Sequence, residues 1–247
     1  MNDDAGPQCF FRGQARPYRC RTHSWSHPVF DWPLLQQNAP LLLDALWVTL
    51  QVSIAALAIG FVIGVIVGSL RLSPIPLFRR LGGAYIFVFR GIPLLVQLLF
   101  IYYFLPRIGL PNVSPTVAAV IGLSLAAGAY TAEILRGGFL AIPGGQLEAA
   151  SLLGLNARQM LVRIRVPQAV RLTLPALINE MILLIKASSL VSVVGLADLT
   201  RTAQNLAASD YMFVQDYLML AGFYCLINIP LAYCGSLLER RLKENGA

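Results

Sequence analysis

Ala45 to Leu70 is a run of twenty-six residues without a charge, bracketed by Asp44 and Arg71, and it constrains this chain more than any other feature. About twenty apolar residues cross the hydrocarbon of a bilayer as one helix, so the run predicts a transmembrane span. It does not stand alone. Gly91 to Pro106 holds sixteen uncharged residues, Val117 to Ala132 sixteen, and Tyr217 to Leu238 twenty-two. Hydrophobic residues make up 57% and charged residues 13% of the chain, outside the balance of a soluble domain. The net charge of +7 admits nucleic acid as a partner, but the charges sit between apolar runs, where they orient a membrane chain.

Within the first run, Gly60, Gly64 and Gly68 recur every fourth residue and lie on one helix face. Small residues in that pattern let a second helix approach closely. The second run is short for a full span, about 24 Å as helix, so Arg90 is read as snorkelling to the headgroups beside the basic loop. Glu133 and Arg136 close the third run one helical turn apart, as an interfacial ion pair or as contacts for a permeating solute. Leu172 to Ala197 is interrupted by Glu180 and Lys186. Ionisable residues inside a span are costly and face protein or a watery pathway. These two lie about 240° apart around a helix and do not pair with each other. With Asn179, Ser188 and Ser189 they make this the best candidate for a pathway-lining helix. Asp198 to Asp216 reads as a polar loop, and Cys225 and Cys234 as small packing residues.

The long polar segment between the third and fourth runs has the grammar of two short helices with a break. Gly154 suits a left-handed residue ending the first helix. Asn156 is placed to cap the second, with Gln159 as reciprocal partner. Pro167 and Pro175 are read as closing the segment before the next span. Such a helix–turn–helix on a membrane protein predicts a docking surface for a soluble partner.

The spacing of Glu148-Ala149-Ala150, Gly154, Ile164 and Pro167 resembles the cytoplasmic loop of ABC importer permeases, which carry leucine where this chain has Val166. The words Phe89-Arg90-Gly91-Ile92-Pro93-Leu94-Leu95-Val96-Gln97, Ala129-Tyr130-Thr131-Ala132-Glu133-Ile134-Leu135-Arg136-Gly137-Gly138, Gly145-Gln146 and Lys186-Ala187-Ser188-Ser189-Leu190 are similar to the polar amino acid branch, the histidine/glutamine type. Ala187 departs from it, standing where a polar or acidic residue is common.

The resemblance implies an all-α integral membrane protein: five transmembrane helices in the type I ABC importer permease fold, with a cytoplasmic coupling-helix loop. It implies ATPase coupling through Glu148, Ala149, Ala150, Gly154, Ile164 and Pro167. A substrate pathway is expected at Glu133, Asn179, Glu180, Lys186, Ser188 and Ser189. The implied partners are separate ABC ATPase subunits, a second permease subunit of the same or a related chain, and a periplasmic or extracellular solute-binding protein. Amino acid substrate and lipid complete the set, without nucleic acid. The alternatives are an importer of an opine or quaternary amine, an ion-driven secondary transporter, and a membrane scaffold that recruits a protein through the loop.

No phosphate-binding loop precedes the two lysines, Lys186 and Lys243, so ATP hydrolysis is expected from a partner and the chain is read as non-catalytic, without cofactor. Eleven cations lie on the loop side of the spans: Arg71, Arg79, Arg80, Arg136, Arg158, Arg163, Arg165, Arg171, Arg240, Arg241 and Lys243. Only Arg107 and Arg201 lie on the other. The first side is therefore expected to be cytoplasmic, in a bacterial inner membrane, with the N-terminus outside.

Residues 1–40 are read as a basic tail, disordered or upstream of the true start. In it the wide Cys9–Cys20 gap, followed by His23 and His27, argues against zinc. A transmembrane domain over 41–240 follows, with spans at about 45–70, 88–106, 115–136, 172–197 and 217–238 and the coupling loop at 137–171. Residues 241–247 form a cytoplasmic tail.

Overall fold

The computed structural model describes residues 31–109 and 112–244, and among them every regular element is helical. Cys9, Cys20, His23 and His27 lie outside these residues. The first helix, α1 (Trp32–Arg71), is forty residues long and starts inside the segment read as a tail. Asp31 caps it, accepting from the Leu34 N–H, and Pro33 fits the first turn, where no N–H partner is needed. α4 (Pro115–Leu140) packs along α1 in parallel, and the glycine stripe is the seam. Gly60 faces Ala127, Gly64 faces Thr131, and Gly68 faces Ala132 and Leu135, so each step of four on one helix matches a step on the other. The main buried cluster lies around this seam, with Val52, Ala56, Leu123 and Ala127 joined by Leu98, Leu184 and Val191.

The run expected as one span at 88–106 is instead broken. α2 (Pro76–Gly91) and α3 (Leu94–Leu99), with the π-helical turn Phe100–Phe104 and a 3₁₀ turn Leu105–Ile108 behind it, meet at a bend of 102°. Pro93 excludes the helical conformation from the residue before it, and Ile92 is extended, with φ −98° and ψ 131°. The Gln97 side chain then donates to Phe89 O at 2.9 Å and Ile92 O at 2.7 Å, satisfying carbonyls that the end of α2 leaves open.

The fourth span also differs from expectation. α5 (Gly144–Leu152) and α6 (Ala157–Met160) are the two short helices, but α6 runs through a π-helical turn, Leu161–Arg165, directly into α7 (Val166–Ala187). Pro167 therefore sits in the first turn of α7 and Pro175 within it, and neither ends the segment. α7 gives way at Ser188 to a 3₁₀ stretch, Ser188–Val194, that stops at left-handed Gly195.

The segment read as a polar loop after it is largely a helix, α8 (Leu199–Asp210), because Leu199, Ala203 and Ala207 form a buried stripe that outweighs its polar composition. α9 (Phe213–Glu244) is the last long apolar helix, and Cys225 and Cys234 are exposed on it rather than packed. Among the described residues four helices are thus long and apolar enough to span a membrane, or five when the bent pair is taken as one span. Asn38 ties the start of α1 to the α8–α9 turn, donating to Asp210 Oδ2 at 3.1 Å and Asp216 Oδ1 at 3.3 Å.

Asp198 holds the start of α8 by accepting from Arg201 N–H at 3.0 Å and Thr200 N–H at 3.2 Å. Burial raises its carboxyl above the usual carboxylate range, and the capping bonds oppose the shift without cancelling it. The folded state therefore favours the protonated acid, and that contribution, complete below the unfolded value, is lost as pH rises through the folded one. Asp198→Ala is expected to cost about 1–2 kcal/mol through the lost cap. Asp198→Asn keeps a capping oxygen without the buried charge, so its thermal midpoint in detergent at neutral pH should match or exceed that of the unaltered chain.

Candidate functional site

Two groups of residues carry the predicted chemistry, and the fold places them at different levels. The first is the elbow between α4 and α7. Ala150 is buried while Glu148 and Ala149 are exposed, so α5 lies with one face on the body and the other free. Leu155 N–H reaches back to Ala150 O at 3.1 Å across Gly154, whose φ of +81° only a residue without Cβ adopts freely. The next helix opens with the predicted reciprocal cap: Gln159 N–H donates to Asn156 Oδ1 and Asn156 N–H to Gln159 Oε1, both at 2.9 Å.

The two arms are tied by Gln168 Nε2 donating to Gln146 Oε1 at 2.8 Å. Between them lies a cleft of about 270 Å³ lined by Leu147, Glu148, Ser151, Met160 and Arg165. The Arg165 guanidinium also lies over the Phe139 ring, 5.9 Å from its centre. At the tip, Leu152 and Leu153 are 88% and 80% exposed. Ile164 is half-buried and Pro167 exposed. The geometry is a preformed, two-armed surface with an apolar tip and an acid and a base in its crook.

The second group lies along α4 and α7. Arg136 donates to Glu133 Oε1 through Nε at 3.0 Å and also through Nη2, so this pair is closed within α4. Glu180 is buried, whereas Asn179 and Lys186 are exposed on another flank of α7, about 100–120° round from it. The hydroxyls of Ser188 and Ser189 donate to their own helix, to Ile185 O at 2.7 Å and Lys186 O at 2.8 Å. Among the described residues, no side-chain-to-side-chain hydrogen bond joins the predicted pathway residues to one another.

Arg90, expected beside the headgroups, is exposed and also meets α4. The bend after α2 sets its guanidinium over the Tyr130 ring of α4, 5.0 Å from the centre. Gly91-Ile92-Pro93, a helix stop in the middle of an apolar run, was the available signal.

Residues 60–244 match the family model described as the binding-protein-dependent transport system inner membrane component. The chain is 35% identical over 215 residues to an arginine transport system permease protein of Bacillus subtilis, covering 87% of this chain and 98% of that one. It is 37% identical over 215 residues to a glutamine transport system permease protein of Escherichia coli, with the same shares covered. Among solved structures it superposes on a chain of an amino acid ABC transporter crystallised with histidines, at a TM-score of 0.80 and 37% identity over 86% of this chain and 99% of that one. A chain of the inward-facing MetNI methionine ABC transporter shares the fold at a TM-score of 0.69 and 23% identity.

Proposed function

Because the chain belongs to the family of binding-protein-dependent transport system inner membrane components, we propose that it forms the membrane pathway of an ATP-driven importer of polar amino acids. The observation that carries this reading is the elbow. Two long apolar helices enclose a hydrogen-bonded polar turn with exposed leucines at its tip, a form suited to docking a separate ATPase. Glu148, Ala149, Ala150, Gly154, Ile164 and Pro167 belong to that joint, and ATP is hydrolysed by the partner. The elbow and the cation-rich loops face the cytoplasm, the N-terminus lies outside, and the membrane is the bacterial inner membrane. A solute-binding protein delivers substrate to the opposite side.

A second permease subunit, the same chain or a related one, meets the flank of α7 that carries Asn179 and Lys186. These two are seven residues apart, within about 20° of each other around the helix. An ammonium group facing lipid at that depth is costly, so a partner or a watery pathway must cover it. Lys186 and Arg90 offer the positive charges a substrate carboxylate needs. Glu133 and Glu180 offer negative ones for its ammonium, and the serines lie beside them. The ion-driven carrier has less support, since the matched family is binding-protein-dependent; the opine importer is the nearer alternative, because an octopine transport system permease protein of Rhizobium radiobacter is 35% identical over 220 residues.

The test is reconstitution in proteoliposomes with an ABC ATPase and a loaded binding protein, reading uptake of labelled arginine and glutamine. Uptake that persists without the ATPase sinks the reading. Lys186→Ala is expected to lower uptake about tenfold or more, the worth of one charge-assisted hydrogen bond, while the ATPase still co-purifies. Lys186→Arg should recover part of it, and unchanged uptake in Lys186→Ala removes Lys186 from the pathway.

A further inference from the structure

The elbow joins α7 through a turn that is not α-helical. Over Leu161–Arg165 the chain is π-helical, and the Val166 N–H bonds to Leu161 O, five residues back. Pro167 follows at once. Proline has no N–H, and its ring presses on the carbonyl four residues before it, here that of Arg163. The same arrangement occurs once more in the described residues. The π turn Phe100–Phe104 ends with Leu105 N–H on Phe100 O, and Pro106 comes next. In both places a wider turn moves the carbonyls away from the ring. At the elbow Leu161, Val162 and Pro167 are exposed, while Ile164 and Arg165 of the same turn are half-buried.

A π turn holds one residue more than the α-helix it interrupts. An α-helical residue turns the chain by about 100°, so the extra residue sets the rotational phase of everything before it relative to α7. The tie between the arms depends on that phase. Gln168, just after the turn, reaches Gln146 on α5 at 2.8 Å, and Arg165, the last residue of the turn, lines the cleft opposite Glu148.

We propose that Pro167 is a positioning residue: by holding the π turn it fixes the elbow in rotational register with α7, so that movement of a docked ATPase turns the pathway helix. The inference rests on the docking reading above and adds a specific device to it. Without Pro167 the turn can close into α geometry, which carries α6 round α7 and breaks the Gln146–Gln168 tie. Removing one residue from the turn at the same time restores the register, because an α-helix one residue shorter spans the same phase.

The experiment uses the full chain in nanodiscs, its four cysteines replaced by serine, with spin labels at exposed Ser151 on α5 and Ala176 on α7. Pro167→Ala is expected to shift the distance distribution between the labels. Pro167→Ala combined with deletion of Val162 is expected to return it to that of the unaltered chain. In proteoliposomes with ATPase and binding protein, Pro167→Ala should raise the ATP consumed per arginine or glutamine imported about fivefold or more, and the double variant should reverse this. An unchanged label distance in Pro167→Ala overturns the proposal. So does a double variant no closer to the unaltered chain than the single one. If the unaltered chain binds no ATPase while the label distances follow the expected pattern, the docking reading falls and the π-turn register stands.

Discussion

Gly64→Leu is expected to leave the chain unable to assemble its central helix pair. A Cβ at position 64 meets Thr131 Cβ at 2.6 Å and Ala132 N at 3.2 Å, and neither is the free end of a flexible side chain. The helices must separate, and the loss spreads along the seam to Gly60, where the Ala127 contact is nearly as close, and to the looser contact of Gly68 with Ala132. Overpacking of this kind costs about 1–3 kcal/mol where neighbours can yield and more where they cannot. Gly64→Ala already outweighs the gain of about 0.5–1 kcal/mol that alanine brings to an ordinary helix position. Gly68→Ala, whose Cβ meets Ala132 O at 3.3 Å, should be milder. Gly222→Ala on α9 meets nothing within 4 Å and should be neutral or slightly stabilising. Membrane accumulation and thermal midpoint in detergent check the series, and a Gly64→Leu chain as stable as Gly222→Ala refutes the close-packed seam.

That seam was legible in the sequence because it follows from a local period: glycine every fourth residue puts bare backbone on one face, whatever the partner. The elbow was legible for the same reason, since Gly154, Asn156 and Gln159 each act within four residues. The bend at Pro93 was harder to read. Proline announces a break, but whether the halves stay collinear depends on Gln97 reaching two carbonyls and on α3 finding the α4 surface. Pro167 and Pro175 misled in the opposite direction: past Pro167 the helix keeps its course by widening one turn, and at Pro175 α7 simply continues. α8 was hidden by its polar composition, since its three buried residues become a stripe only when α1 and α9 flank it. The clasp of Asn38 to Asp210 and Asp216 joins residues more than 170 positions apart, beyond the reach of any local rule. The proposed substrate contacts, formed between two permease subunits, lie beyond the reach of one sequence and one chain alike.

Gly154→Val is expected to abolish ATP-coupled uptake without preventing the chain from folding. The residue's φ of +81° costs a β-branched side chain about 1–3 kcal/mol, since its Cβ collides with its own backbone there. Space is not the difficulty, because a Cβ at this position meets nothing within 4 Å. The strain is therefore local to the elbow. It is relieved by releasing Leu155 N–H from Ala150 O, which swings α5 away from the Asn156–Gln159 cap and opens the cleft. The body, packed through the α1–α4 seam, does not depend on that hydrogen bond. A graded series distinguishes this cause from a simple size effect. Gly154→Asn, which tolerates left-handed geometry, should retain most uptake; Gly154→Ala should lose about 1 kcal/mol of elbow stability and retain part. Gly154→Val should retain none, while its thermal midpoint stays near that of the unaltered chain. Co-purified ATPase should fall in the same order. Equal uptake across the three variants refutes a role for the turn's geometry. Loss of uptake with full ATPase retention places the defect in transmission rather than docking, at the π turn before α7.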